Sequence, residues 1–219
     1  KKYIFDLVAV LGPTATGKTN LAVKLADFLN GEIISADSRQ IYRGMNIGTG
    51  KDLDEYFYNG KNIPYHLIDI LDPKDNYNVY KYQKDCELVI ENIKKRKKLP
   101  ILCGGTGLYL ESILLNYNFS RIKANTDLRK NLEPLSKEEL KNQFKKINLN
   151  LYKKWKTDTK RRVIRGIELA LEKANPETNS TSNNSFRTLV IGIKYKRETI
   201  RDRITTRLKF RLENGMIEE

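Results

Sequence analysis

The eight residues Gly12-Pro13-Thr14-Ala15-Thr16-Gly17-Lys18-Thr19 constrain this chain more than any other stretch. Two glycines with four residues between them, followed by Lys and Thr, form the phosphate-loop pattern. The flanks supply the right context. The apolar run 7–11 reads as a buried strand, and Leu21, Leu25, Phe28 and Leu29 recur at helical spacing until Asn30-Gly31 stops the helix. Strand, loop and helix in that order aim backbone N–H groups and the positive end of the helix at one spot, where an anionic oxygen is expected to sit. Lys18 would carry a mobile charge to the outermost phosphates. Thr19 is the candidate metal ligand, its hydroxyl placed to hold a Mg²⁺ that bridges phosphate oxygens. An ordinary glycine turn is the plain alternative, and the loop does not say whose phosphate it holds.

With 219 residues the chain is long enough for one large α/β domain or for a domain with a small insertion. No run of about 18 apolar residues is present, so no membrane span is expected. The opening Lys1-Lys2-Tyr3-Ile4-Phe5 leads into a strand rather than a signal peptide, which points to the cytoplasm. Cys86, Cys103 and the single histidine, His66, lack both metal-ligand spacing and a disulfide framework, so any metal would be bound through oxygen. An excess of 41 Lys+Arg over 27 Asp+Glu gives +14, which calls for a polyanionic partner unless the lysines are scattered for reasons of general composition.

A second short apolar run, 32–36, ends in Asp37-Ser38-Arg39-Gln40. Ligands bind beyond the carboxyl ends of strands in open α/β sheets, so Asp37 is expected at the mouth of the phosphate-loop crevice. General base, Mg²⁺ ligand and helix cap are all open roles for it. Residues 42–51, with three glycines in ten, read as an irregular loop hugging something nearby. Residues 64–70 look like another short strand, and His66 within it reads as structural, since no Ser or Cys nucleophile accompanies it. Residues 78–96 have a helical apolar stripe of Val79, Tyr82, Cys86, Val89, Ile90 and Ile93, and the basic run 94–98 suits the helix's negative end. A buried strand, 100–103, then meets Gly104-Gly105-Thr106-Gly107 and a new helix. That turn repeats the logic of the first loop, with the Thr106 hydroxyl at a second helix N-terminus, though glycines kept only for packing would read the same.

From about residue 120 the chain turns polar and helix-prone, with no strand until 188–195. The expected organisation is an α/β body over 1–119, a mainly helical insertion over 120–186 and a return to the body over 187–219. Seven positive charges fall in residues 153–165, interleaved with Trp155 and preceded by Tyr152. Asp158 is the expected cap of a helix on which Arg161, Arg165, Glu168 and Glu172 share one face while Val163, Ile167 and Leu171 share another. Residues 175–185 read as an Asn/Ser/Thr-rich loop. A last helix carries Ile200, Ile204, Leu208 and Leu212 as its apolar stripe and ends at Asn214-Gly215. Arg203, Arg207 and Arg211 line another of its faces, either as a site or as a solvated face.

Taken in order, GPTATGKT, ISADSRQIYRGMNIGTGK, PYHLIDI, ILCGGTGLYL and KRRVIRGIE resemble the tRNA dimethylallyltransferases, also called tRNA isopentenyltransferases. The resemblance runs across nearly the whole chain; Tyr65 stands where that family usually has another histidine. It implies a P-loop NTPase-like parallel sheet flanked by helices, with a mainly helical insertion. It also implies transfer of a dimethylallyl group from dimethylallyl diphosphate to the exocyclic amine of the adenine 3′ of a tRNA anticodon, by a cytoplasmic monomer that uses Mg²⁺. Gly12, Pro13, Thr14, Ala15, Thr16, Gly17, Lys18 and Thr19 would hold the donor diphosphate, with Arg203 or Arg207, and Asp37 would be the general base. Asp37, Ser38, Arg39 and Gln40 would meet the target nucleotide, and Thr106, Arg129, Arg161, Arg162, Val163, Ile164 and Arg165 the tRNA. The resemblance further implies that helices completing the substrate channel follow Glu219. An adenylate isopentenyltransferase, a P-loop kinase of a small substrate and a nucleic-acid-binding ATPase are the rival readings.

Overall fold

Runs of four to six buried residues need cover on both sides, and they dictate a layered sheet. The computed structural model describes residues 4–119, 122, 124–172 and 186–219. Its first elements are β1 (Leu7–Leu11), α1 (Lys18–Leu29), β2 (Gly31–Ala36), β3 (Phe57–Tyr58), β4 (Lys61–Asn62) and β5 (Tyr65–His66). Next come α2 (Val79–Lys95), β6 (Leu99–Gly104) and α3 (Gly107–Leu114). Four helices follow, α4 (Thr126–Leu132), α5 (Lys137–Ile147), α6 (Leu149–Lys154) and α7 (Lys160–Leu171), then β7 (Thr188–Gly192) and α8 (Arg197–Glu213). Chain contacts divide these into two compact units, residues 1–117 with 182–219, and residues 118–181.

In the first unit five strands form a parallel sheet in the order β5-β2-β6-β1-β7, beside a separate β3-β4 hairpin. Alternation along the strands sorts the two faces. Leu7, Ala9, Ile34, Ala36 and Leu102 pack with Tyr82, Cys86, Ile90 and Ile93 of α2 and with Leu110 and Ile113 of α3. Val8, Val10, Ile33, Ile101 and Cys103 pack on the other side with Ala22, Val23 and Ala26 of α1. The strand order brings the carboxyl ends of β1, β6 and β2 side by side, with Gly104 in register with both Leu11 and Ala36. Three loops therefore open on one edge of the sheet: the phosphate loop, the Gly104-Gly105-Thr106 turn and the Asp37 turn. Gly104 is needed there, because a Cβ would lie 2.3 Å from the Ala36 carbonyl oxygen.

Several expectations need correction. Phe28 is 85% exposed, because α1 seats its small residues Ala22 and Ala26 on the sheet and so turns Phe28 outward. Only Tyr65–His66 of residues 64–70 is strand, since Leu67 (φ 60°) and Asp69 (φ 55°) take left-handed conformations that end it. His66 is structural: its Nε2 sits 2.7 Å from the buried Glu32 carboxylate, which also pairs with Arg96 and Lys98. Burial would raise the Glu32 pKa, but these hydrogen bonds outweigh it and lower it to about 2. On α8 no residue is buried, and Ile204, Leu208 and Leu212 of the expected core stripe stay exposed. Residues 175–185 lie outside the described residues.

The second unit is a small helical body around Leu140, Phe144, Leu151, Val163, Ile164 and Ile167. Its helix starts are capped by Asn125, Ser136, Asn148 and Thr159, with Ser136 and Glu139 forming a reciprocal capping box. Thr159 rather than Asp158 caps α7; the Asp158 carboxylate instead pairs with Arg162. Gly166 lets α7 close on α5, since a Cβ there would stand 2.3 Å from the Phe144 ring. Leu171 is 50% exposed, while Glu168, placed by periodicity on a solvated face, is only 1% exposed. Its carboxylate is sequestered by Arg129, Arg165 and the Asn125 N–H.

Candidate active site

The phosphate loop is held open by its own backbone. Gly17 takes φ 78°, a left-handed value that favours glycine, immediately before Lys18 begins α1. Gly12 has no room for a side chain, since a Cβ would approach the Ile193 carbonyl oxygen to 2.7 Å. The Thr16 hydroxyl and the Lys18 ammonium both donate to the Pro13 carbonyl, at 2.8 and 2.6 Å. Burial lowers the Lys18 pKa, against the opposing pull of the Asp37 carboxylate. Beneath the loop, burial pushes the Cys103 thiol up to about 12, so it stays protonated and is no nucleophile at neutral pH.

Asp37 follows β2 directly. Its Oδ1 accepts the Arg39 N–H at 2.9 Å, which closes a tight turn and fixes the carboxylate. Thr106 does not cap α3 with its side chain; instead its Oγ1 accepts the Ser38 N–H at 3.0 Å, tying the β6 turn to the β2 turn. Gln40 points inward, accepting from Ser35 at 3.1 Å and donating to the Gly50 carbonyl at 3.0 Å. Gln40 therefore helps to fix the glycine-rich loop of residues 42–51. Buried Lys51 secures the same loop through the Tyr42 carbonyl, Asn46 and Asp69. The Glu219 carboxylate caps it by accepting the N–H groups of Asn46, Ile47 and Gly48.

The arginine face of α8 turns toward this loop and the phosphate loop. Arg203 reaches the Ala15 carbonyl at 3.4 Å and lies 4.5 Å over the Tyr195 ring, while Arg207 pairs with Asp52. Lys18, Thr19, Arg203, Arg207, Arg211, Glu55, Tyr56 and Asp37 all line one cavity of about 380 Å³. A smaller one of about 220 Å³ is lined by Ser38, Arg39 and Thr106. Thr14, Lys18, Asp37 and Gly105 belong to both. The arrangement is a cationic chamber and a polar chamber with one carboxylate at their shared wall.

The remaining candidate residues lie in the helical unit. Arg161 and Arg162 are exposed on α7. Val163 and Ile164 are buried in the unit's core, so their side chains offer no surface to a nucleic acid. Arg129 and Arg165 are committed to Glu168. Sequence reading passed over Glu55 and Tyr56, and saw Gly50 only within a glycine-rich loop and Arg211 only within an arginine face. Arg211 had a visible signal, since it continues the four-residue spacing of Arg203 and Arg207, whereas Glu55 looked like one more acid in the run 52–55.

The profile of the IPP transferase family matches residues 40–219, and that of the isopentenyl transferases matches residues 5–71. The chain belongs to the IPP transferase family. It is 52% identical to tRNA dimethylallyltransferase 1 of Azobacteroides pseudotrichonymphae, over 98% of this chain and 70% of that one. It is 50% identical, with the same coverage, to tRNA dimethylallyltransferase 2 of Bacteroides fragilis. Among solved structures it is similar to the full-length tRNA isopentenylpyrophosphate transferase of Bacillus halodurans, with TM-score 0.65 and 38% identity over 97% of this chain and 68% of the other. It is also similar to a eukaryotic dimethylallyltransferase acting on tRNA, with TM-score 0.80 and 27% identity over 97% and 54%. The sheet is accordingly of the P-loop NTPase-like type. Among the described residues no helix is long and apolar enough to cross a membrane.

Proposed function

We propose that the protein transfers a dimethylallyl group from dimethylallyl diphosphate to the exocyclic amine of the adenine 3′ of the anticodon in tRNA, releasing diphosphate. Membership of the IPP transferase family and relatives named tRNA dimethylallyltransferase support this reading. The observation that carries it is the wall shared by the two chambers, where Asp37 stands between the cations of one and the polar groups of the other. A donor diphosphate lies among Lys18, Arg203 and Arg207, and the adenine enters beside Ser38, Arg39 and Thr106. The C–N bond forms as the C–O bond breaks, and the bonding pair leaves on the diphosphate oxygen, where fixed cations are worth most. An adenine amine has its lone pair delocalised into the ring, so it needs a base; the Asp37 carboxylate takes the amine proton. The target base must leave the stack to reach this wall.

Mg²⁺ fits this chamber only in the manner of other phosphate loops, where one or two protein oxygens share the ion with the ligand. Among the described residues no cluster of three or more His, Cys, Asp or Glu exists to cage a metal. The Thr19 hydroxyl and the Glu55 carboxylate both line this chamber and would hold the ion. Burial and neighbouring Asp52 raise the Glu55 pKa, so a cation there would favour its ionised form. When bound, Mg²⁺ adds charge neutralisation to the diphosphate. We take the working unit to be a monomer acting on tRNA in the cytoplasm, as the family resemblance implies.

The test is thermal protection. Dimethylallyl diphosphate with Mg²⁺, at 100 times its Kd, is expected to stabilise the protein by about 2.7 kcal/mol. Lys18→Ala should lose that protection while melting normally without ligand. Equal protection of the variant would remove the phosphate loop from the donor site. Stoichiometric ADP during modification, with ATP present, would replace this reading with a kinase.

A further inference from the structure

Arg211 stands apart from the other cations of the chamber. Its Nη2 is buried and, among the described residues, is the one buried side-chain nitrogen or oxygen without a hydrogen-bond partner. Asp52, the nearest acid, lies 3.8 Å away and is already paired with Arg207. Burial and the adjacent Arg207 both oppose the charge, with Asp52 a weaker counterweight; an arginine nonetheless stays protonated. A buried guanidinium nitrogen with an unmade bond costs stability, and Arg211 lines the cavity that also holds Lys18 and Arg207.

Room for this group exists because residue 50 is glycine. A Cβ on Gly50 would fall 1.7 Å from Arg211 Nη2, 2.6 Å from its Cζ and 2.9 Å from Arg207 Nη2. The Gly50 backbone cannot retreat easily, since Gln40 holds its carbonyl and its own N–H donates to Ile47 at 3.1 Å. Gly50 also takes φ 63°, a left-handed value that favours glycine, so a methyl group there would strain the turn as well as push the flexible guanidinium aside.

We propose that Arg211 is an anion-binding residue of the donor chamber, giving its open N–H to a phosphoryl oxygen of the diphosphate, and that Gly50 is the positioning residue that admits it. This rests on the reading that the chamber holds a diphosphate. The same unpartnered nitrogen makes the ligand-free protein less stable than an apolar residue would.

Inorganic pyrophosphate is the probe, titrated calorimetrically into wild type, Lys18→Ala, Arg211→Met, Gly50→Ala and the double variant, with melting temperatures taken without ligand. Arg211→Met is expected to weaken pyrophosphate binding by about 10- to 100-fold, the value of a charge-assisted hydrogen bond. It should leave the ligand-free melting temperature unchanged or raised. Gly50→Ala should weaken binding to a similar degree, and adding it to Arg211→Met should change little further, as for two changes to one interaction. Wild-type affinity in Arg211→Met overturns the proposal, as does a lowered ligand-free melting temperature, which would mark Arg211 as structural. Weaker binding of an anticodon stem-loop with pyrophosphate binding intact would assign the residue to RNA instead. If wild type and Lys18→Ala bind pyrophosphate equally, or neither binds, the donor-chamber reading fails first and carries this proposal down with it.

Discussion

Asp37→Asn is expected to lower single-turnover transfer to an anticodon stem-loop by about 10²- to 10⁴-fold while leaving stem-loop binding within error of wild type. Asparagine keeps an oxygen for the Arg39 N–H that Asp37 Oδ1 accepts at 2.9 Å, so the turn survives. It has no second oxygen to receive the amine proton. Two other roles for Asp37 give other results. A pure turn-former would leave transfer unchanged, because asparagine forms the same turn. A Mg²⁺ ligand would show weakened, metal-dependent donor binding that recovers as Mg²⁺ is raised, and that recovery would end the base assignment. Filter binding beside rapid-quench transfer separates all three.

How far the site could be read before the fold was seen depends on the range of the interactions that build it. The phosphate loop, the Asp37 turn and the Gly104-Gly105-Thr106 turn are local: each follows a short buried strand and uses glycines or an Asx turn within a few residues. Their meeting on one edge follows from the parallel order of β2, β6 and β1. Helix α8 defeats the same reasoning. Ile200, Ile204, Leu208 and Leu212 repeat every four residues, and so do Arg203, Arg207 and Arg211. The rule that apolar faces turn inward chose the wrong stripe. Gly50 and Arg211 are 161 positions apart, and nothing near either residue announces that one leaves space for the other. Glu168 fails for a related reason. Its spacing put it with the arginines on a polar face of α7, yet those arginines and the Asn125 N–H are what allow it to be buried.

The burial of Glu168 divides the basic cluster of the helical unit into two kinds of arginine, and their variants are expected to fail in different measurements. Arg129 and Arg165 hold a carboxylate that is 1% exposed. Replacing both with Met leaves Glu168 charged and unpaired, and breaking a buried pair costs about 3–5 kcal/mol. Both guanidiniums reach water, so the loss should fall at the low end, about 3 kcal/mol in urea unfolding. Hydrogen exchange of the α7 amides should accelerate while those of α2 do not, which assigns the loss to the helical unit. The pH dependence has a definite sign. Burial raises the Glu168 pKa, but its hydrogen bonds from Arg129, Arg165 and Asn125 prevail and lower it, so in wild type its stabilisation is full above the unfolded carboxylate pKa and fades as pH falls through the folded value. In the double variant burial is opposed only by the Asn125 N–H, the pKa rises, and acid relieves the penalty. The stability gap between the two proteins should therefore narrow from pH 7 to pH 4, and a constant gap would refute the buried-charge account. Arg161 and Arg162 behave oppositely: both are exposed, and the Arg162 pair with Asp158 is a surface ion pair worth little. Replacing both with Gln should leave urea unfolding unchanged and flatten the salt dependence of stem-loop binding by about 0.7–0.9 log units for each phosphate the protein no longer neutralises. An unchanged salt slope would make that pair a solvated face and move the RNA-binding surface elsewhere on the chain.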